Sequence, residues 1–252
     1  TFVYRVEFRP VKAQLSLGIP RVARYSQSRQ QIYVPRGGKY ATLISASRAN
    51  FGGDITIEGN DLPQGVTMHA PPMPANMSVM PVVFEAAADA PIAGKLMKFQ
   101  GKHIAPATGI AGHFKNRADL VVAAPGQSLY VYKDVEQLPI AVVDELPFRL
   151  EIVQPKVPIV QNGEMALKVL IHRKEGFNEA VTLQFPFRPP GIGTRSTVVV
   201  PAGGTEAVYP LNAAGNAQIR EWPMYVLGSA NVNGTAWVSS QLATLSVAAP
   251  YV

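Results

Sequence analysis

The sequence predicts an all-β protein built as two tandem β-sandwich domains, and three observations carry that reading. Short runs of alternating or β-branched residues recur along the chain, each bounded by Gly, Pro or Asn. No stretch offers an apolar stripe at helical spacing over about 11 residues or more. The second half repeats the first at an offset of 126 positions.

Composition agrees. With 252 residues, 47% apolar and 16% charged, the chain can bury a core as one large or two ordinary domains. Its 22 Pro and 21 Gly point to frequent turns rather than long helices. No window holds the roughly 18 consecutive apolar residues of a membrane span, so no membrane insertion is expected. The start, "TFVYRVEFRP", lacks the apolar core and cleavage site of a signal peptide and reads as a segment of a longer chain. The absence of cysteine excludes disulfides, thiolate metal sites and cysteine nucleophiles.

The repeat is dense. Phe51, Ile55, Ile57, Pro63, Gly65 and Val66 fall on Phe177, Val181, Leu183, Pro189, Gly191 and Ile192 at an offset of 126. With one residue inserted, Pro74, Phe84, Phe99, Gly101 and Leu120 meet Pro201, Leu211, Val226, Gly228 and Val247. The lead-in agrees more loosely, "YRVEFRP" from 4 resembling "FRLEIVQP" from 148, with additional residues in the first copy. In order, "ATLISAS" and "ALKVLIH", "DITIEG" and "AVTLQF", "VMPVVFEAA" and "EAVYPLNAA", "GKLMKFQGK" and "PMYVLGSAN", and "ADLVVAA" and "ATLSVAA" read as paired strands. With an opening strand, each copy has the size and rhythm of an immunoglobulin-like sandwich. The predicted domains are 1–124, with an extended lead-in, and 125–252, of which 125–147 forms an ordered crossing between them.

The stretch "GFNEAVTLQFPFRPPGIG" shows how one corner is specified. Phe177 follows Gly176 at a turn and is placed to fold over the sandwich end. Val181, Leu183 and Phe185 alternate inward, with Thr182 and Gln184 outward, until Pro189-Pro190-Gly191 stops the strand. Gly191, and Gly65 in the first copy, mark a backbone that needs positive φ or close approach.

At these residues the chain resembles the immunoglobulin-like repeats of bacterial secreted and surface proteins. The shared elements are "FGGDITI", "LPQGV", "MPANMS" and "APIAG" in the first copy, and "FNEAVTL", "RPPGI", "VPAGGTE" and "NAQIR" in the second, where the Pro and Gly of the last turn are missing. The pair is especially similar to the tandem region of large planctomycete-type proteins that also carry a bacterial pre-peptidase C-terminal domain. The resemblance implies an extracytoplasmic, non-catalytic structural or spacer module of a multidomain protein, and supplies no ligand residue to carry over.

No H-E-x-x-H, G-x-S-x-G, phosphate-binding Gly-Lys-Ser/Thr loop or G-x-G-x-x-G before a helix is present, and no enzyme is expected. His69, His103, His113 and His172 lack ligand spacing, and surface or strand-end positions are expected for them. Met68, His69, Met73, Met77 and Met80 offer soft ligands to Cu(I), or else fill an irregular corner of the core. Asp54, Glu58 and Asp61 are too few for Ca²⁺ and read as solvated acids. No metal or cofactor is therefore expected.

Charge singles out one region. Up to residue 124 there are 14 Lys and Arg against 7 Asp and Glu, and from 125 onward 9 against 10, so the net +6 arises in the first half. Within "RVARYSQSRQQIYVPRGGKY", Arg21, Arg24, Arg29, Arg36 and Lys39 mingle with Tyr25, Tyr33 and Tyr40. Arg forks bind anions and Tyr faces stack on sugars, which suits a carbohydrate or polyanion; the same residues also suit an edge protected from aggregation. The expected partners are neighbouring domains of the same chain, with a polysaccharide or surface protein as the alternative. No motif for specific nucleic-acid binding is present.

Overall fold

The computed structural model describes residues 3–23, 26–123 and 128–250. The first eleven strands are β1 Gln14–Gly18, β2 Ile32–Pro35, β3 Lys39–Ala49, β4 Ile55–Asn60, β5 Val66–His69, β6 Val79–Ala86, β7 Gly94–His103, β8 Ala111–Phe114, β9 Asn116–Val122, β10 Leu129–Val135 and β11 Leu138–Val143. The other eleven are β12 Phe148–Ile152, β13 Ile159–Val160, β14 Glu164–Arg173, β15 Val181–Gln184, β16 Ile192–Thr194, β17 Thr197–Val200, β18 Glu206–Ala213, β19 Glu221–Met224, β20 Leu227–Asn231, β21 Thr235–Ser239 and β22 Ala243–Ala248. The protein is all-β. Among the described residues no strand of 14–143 pairs with a strand of 148–248.

The second set forms an immunoglobulin-like sandwich. Its strands form three sheets, β12-β14-β18-β16, β17-β15-β20-β21 and β13-β22-β19, the first two matching the A-B-E-D and C-F-G arrangement with an added edge strand. The Tyr209 hydroxyl donates to the Leu183 carbonyl at 2.8 Å and ties β18 to β15 across the core. Alternation explains the layers: Val181, Leu183 and Phe185 are buried, with Thr182 and Gln184 less so. Phe177 stacks on Phe148 with ring centroids 5.3 Å apart, covering one end as expected.

The first set joins its strands in one nine-stranded sheet, β2-β11-β7-β8-β1-β3-β6-β5 with β4 beside β7, linked by a parallel β1–β8 pairing that the second set lacks among the described residues, and it shares individual registers with the second set. Ile55 bridges Met73 as Val181 pairs with Val200. Val66 pairs with Ala86 as Ile192 pairs with Ala213. Gly101 faces Gly112 as Gly228 faces Val238. Phe84, Phe99 and Phe114 pack ring to ring at 6.1 and 6.0 Å in its core.

Three features depart from the sequence reading. First, Leu120 is not the counterpart of Val247. Lys95 pairs with Ile140 as Trp222 pairs with Leu245, which places Val142 in that role. The first copy interrupts its last strand between β8 and β11 and inserts the β9–β10 hairpin, whereas positions 240–242 alone join β21 to β22. A constant offset cannot register such an insertion. Second, the stretch 125–147 contributes β11 to the first set of strands, between β2 and β7, and only 144–147 lie between that set and β12. Third, "YRVEF" at 4–8 carries the pattern of β12 but is exposed and unpaired; β1 occupies the corresponding place beside β3.

Candidate functional site at the joint

The basic lead-in enters the structure by a turn. Ser28 N–H donates to Ser26 Oγ at 3.1 Å, Gln30 N–H to the Gln27 carbonyl at 3.3 Å, and Arg29 takes φ +60°. A non-glycine residue in the left-handed region is strained by about 1 kcal/mol or more, so the surroundings must hold it. They do: Arg29 Nη2 donates to Gln184 Oε1 at 2.7 Å, and the guanidinium lies 4.5 Å from the Trp237 ring centroid. Gln184 ends β15 and Trp237 lies in β21, so Arg29 links the first unit to the second.

The remaining lead-in residues do not form one basic face. Arg21 forks onto both carboxylate oxygens of Asp119 and also donates to the Arg117 carbonyl. The Asp119 side chain is only 1% exposed, and its hydrogen bond from Arg21 holds its carboxyl below the usual range. Arg36 donates to Asp144 at 3.1 Å and Lys39 to Glu85 at 2.7 Å. Arg24 and Tyr25 lie outside the described residues. Tyr33 is exposed and its hydroxyl accepts from Gln31; Tyr40 is buried, and desolvation raises its phenol pKa.

What the structure brings together is therefore Arg29, Tyr33 and Tyr40, with Gln184 and Trp237 from the second unit. They line a cleft of about 800 Å³. Among its described lining residues Arg29 is the one charged group, and no carboxylate, histidine or lysine joins it. Arg29 takes part in no ion pair among the described residues. Such a site can hold and orient a ligand; its hydroxyl groups are those of Ser28, Tyr33, Tyr40 and Thr235. Trp237 was missed in the sequence reading, although register comparison gives a signal: it takes the place of Ala111 in the first copy, Ser229 facing it as Lys102 faces Ala111.

The link beside the cleft is pinned on both sides. Asp144 accepts from Arg36 of the first unit. Glu145 meets Arg149 and, at 2.6 Å, Lys174 of the second. Lys174 first and Arg149 second, both by hydrogen bonding, hold the Glu145 carboxyl below its usual range. Leu146 packs against the core, and Lys174 N–H donates to the Pro147 carbonyl at 2.8 Å. The buried apolar residues of both units belong to one connected cluster.

The other candidates are absorbed locally. Met73 and Met80 are buried, and Met68 and Met77 pack against the core. Asp54 accepts from Ala75 N–H at 2.8 Å, Glu58 pairs with Lys102 at 2.6 Å, and Asp61 with Lys98 at 3.9 Å. His103 lies 3.0 Å from the Gly52 carbonyl, His172 2.8 Å from Glu151, and His69 3.5 Å from Glu85. Among the described residues no group of three or more His, Cys, Asp or Glu is placed to hold a metal ion, and no helix is long and apolar enough to cross a membrane.

No family profile and no curated protein matches the chain. Among solved structures, the D00-D0 domain of intimin is 13% identical over 92% of this chain and 98% of its own, with a TM-score of 0.26. Domains 4–9 of the surface layer protein SbsC are 14% identical, covering 83% of this chain and 30% of that one, with a TM-score of 0.30. The fibronectin(III)-like modules of Clostridium thermocellum CbhA are 9% identical over 87% and 89%, with a TM-score of 0.25. At such values these likenesses carry no weight of their own; strand order and register identify the immunoglobulin-like sandwich.

Proposed function

We propose that the chain is a non-catalytic spacer and interaction module of a larger extracytoplasmic protein, in which two sandwich domains, 14–143 and 148–248, are held at a fixed angle. The carrying observation is the joint: the link 144–147 is ion-paired to both units, and Arg29 crosses from one to Gln184 and Trp237 of the other. A loose tether would show neither. The resemblance to bacterial secreted repeats, including planctomycete-type proteins with a pre-peptidase domain, supports the extracytoplasmic placement.

Residual dipolar couplings measured on the full chain test this reading. A single alignment tensor fitting both units is expected, and Arg29→Ala is expected to separate the two tensors. Two independent tensors in the wild-type chain would remove the spacer reading. The broader polyanion edge narrows on physical grounds, because Arg21, Arg36 and Lys39 each face a carboxylate; Arg29 keeps that alternative open.

A further inference from the structure

We infer that the cleft between the two units binds a carboxylate-bearing sugar residue of an acidic glycan, with Arg29 receiving the carboxylate and Tyr33 packing on the sugar ring. This rests on the fixed joint proposed above, since both units wall the cleft.

The ligand class follows from the charge and chemistry of the walls. Arg29 is immobilised by its bond to Gln184 and its place over Trp237, while its Nε and Nη1 make no hydrogen bond to the described residues. A guanidinium held in this way presents planar donors to a carboxylate without first losing side-chain freedom. A single uncompensated cation matches one negative charge; phosphate-rich polymers require several cations along a track. The remaining walls suit a hydroxylated ring. Tyr33 is 48% exposed and offers an amphipathic face, while Gln31, Ser28 and Thr235 add hydrogen-bonding groups. The volume of about 800 Å³ lies within the range of roughly 300–1,000 Å³ usual for small-ligand sites. The left-handed backbone at Arg29 is the kind of local strain retained where a side chain must be aimed.

The test titrates the full chain with short oligogalacturonides, using neutral galacto-oligosaccharides of matched length and an acidic tetrapeptide as comparison probes, followed by amide chemical shifts at low and high salt. Saturable, salt-sensitive shifts around Gln31, Tyr33 and Thr235 with the uronate oligomer are expected. Neutral oligomers should bind at least about tenfold more weakly, as expected for loss of a charge-assisted contact. Arg29→Gln should weaken uronate binding by a similar factor. Tyr33→Ala, which among the described residues removes no hydrogen bond or ion pair across the joint, should weaken it while leaving the dipolar couplings unchanged. Absence of uronate binding, equal binding of neutral sugar, preference for the acidic peptide, or full affinity in either variant would overturn the inference. A fixed joint without uronate binding removes the cleft site alone; a mobile joint removes the spacer reading on which it rests.

Discussion

Replacing Gly191 by Ala isolates the corner that the two copies share. Gly191 has φ +82°, and a Cβ there would stand 2.5 Å from Ala217 Cα and 2.9 Å from its N and Cβ. The corner is tied, because Ala214 N–H donates to the Gly191 carbonyl at 2.8 Å and Ala217 N–H to the Ala214 carbonyl at 3.0 Å. Two costs therefore add. A left-handed Ala costs about 1–2 kcal/mol, and forcing backbone away from an inserted methyl costs about 1–3 kcal/mol, offset by about 0.4–1 kcal/mol because the unfolded chain also loses freedom. The net is a destabilisation of about 2–4 kcal/mol. Gly176 supplies the control: its φ is +80°, but a Cβ meets nothing within 4 Å. Gly176→Ala should cost only about 1 kcal/mol, the conformational part. Gly65→Ala should fall between, with its Cβ 2.8 Å from Ala90 Cβ and 3.2 Å from Ala90 Cα at φ +76°. Both tryptophans, Trp222 and Trp237, lie in the second unit. Urea unfolding followed by their fluorescence therefore reports Gly191 and Gly176, and circular dichroism follows Gly65. Equal losses at Gly191 and Gly176 would refute the close-approach argument.

Three further outcomes are expected. Replacing 115–137 by the second copy's Ser240-Gln241-Leu242 link should leave a cooperatively unfolding sandwich, because β8 and β11 keep β7 as their common partner; loss of the cooperative transition in circular dichroism would make the hairpin part of the core. Burial pushes the Tyr209 phenol up to about 12 and raises Tyr225 and Tyr40 as well. Native binding of these protons adds stability below about pH 10 that declines as the pH rises toward about 12, and ultraviolet difference titration should show these phenols ionising only with unfolding. Because Arg21 holds the Asp119 carboxyl low, that pairing contributes above the ordinary carboxylate range and is lost as the pH falls through and below it. Asp119→Asn should abolish this acid dependence and increase proteolysis at the hairpin base.

Patterning made most of the fold legible. The alternation of Val181, Leu183 and Phe185, and the glycines at 65 and 191, carried both burial and backbone conformation, because period-2 burial and positive φ leave direct marks on residue choice. The hairpin did not, since β9 and β10 carry Val and Leu as core strands do and Leu120 is as apolar as a core residue at its position. Only pairing distinguishes Leu120, 64% exposed, from buried Val142. The lead-in charges were visible, but their partners were not. Asp119 is 98 positions from Arg21 and Asp144 108 from Arg36, so a local cluster of cations turned out to be a set of long-range ion pairs.

Differences between the copies then bear directly on function. Where both copies agree, at the corner and along the paired strands, each residue is accounted for by folding. Where they differ, the first copy gains the turn bearing Arg29, and the second gains Trp237 in the place of Ala111. Arg29 takes a strained backbone, and Trp237 packs against the core while staying only partly buried. Each gains a partner from the other unit, because the guanidinium covers the indole and reaches Gln184. The two copies thus meet through complementary departures from one template, and the cleft beside that joint holds Arg29, the one described cation of the stretch 21–40 that is not paired with a carboxylate.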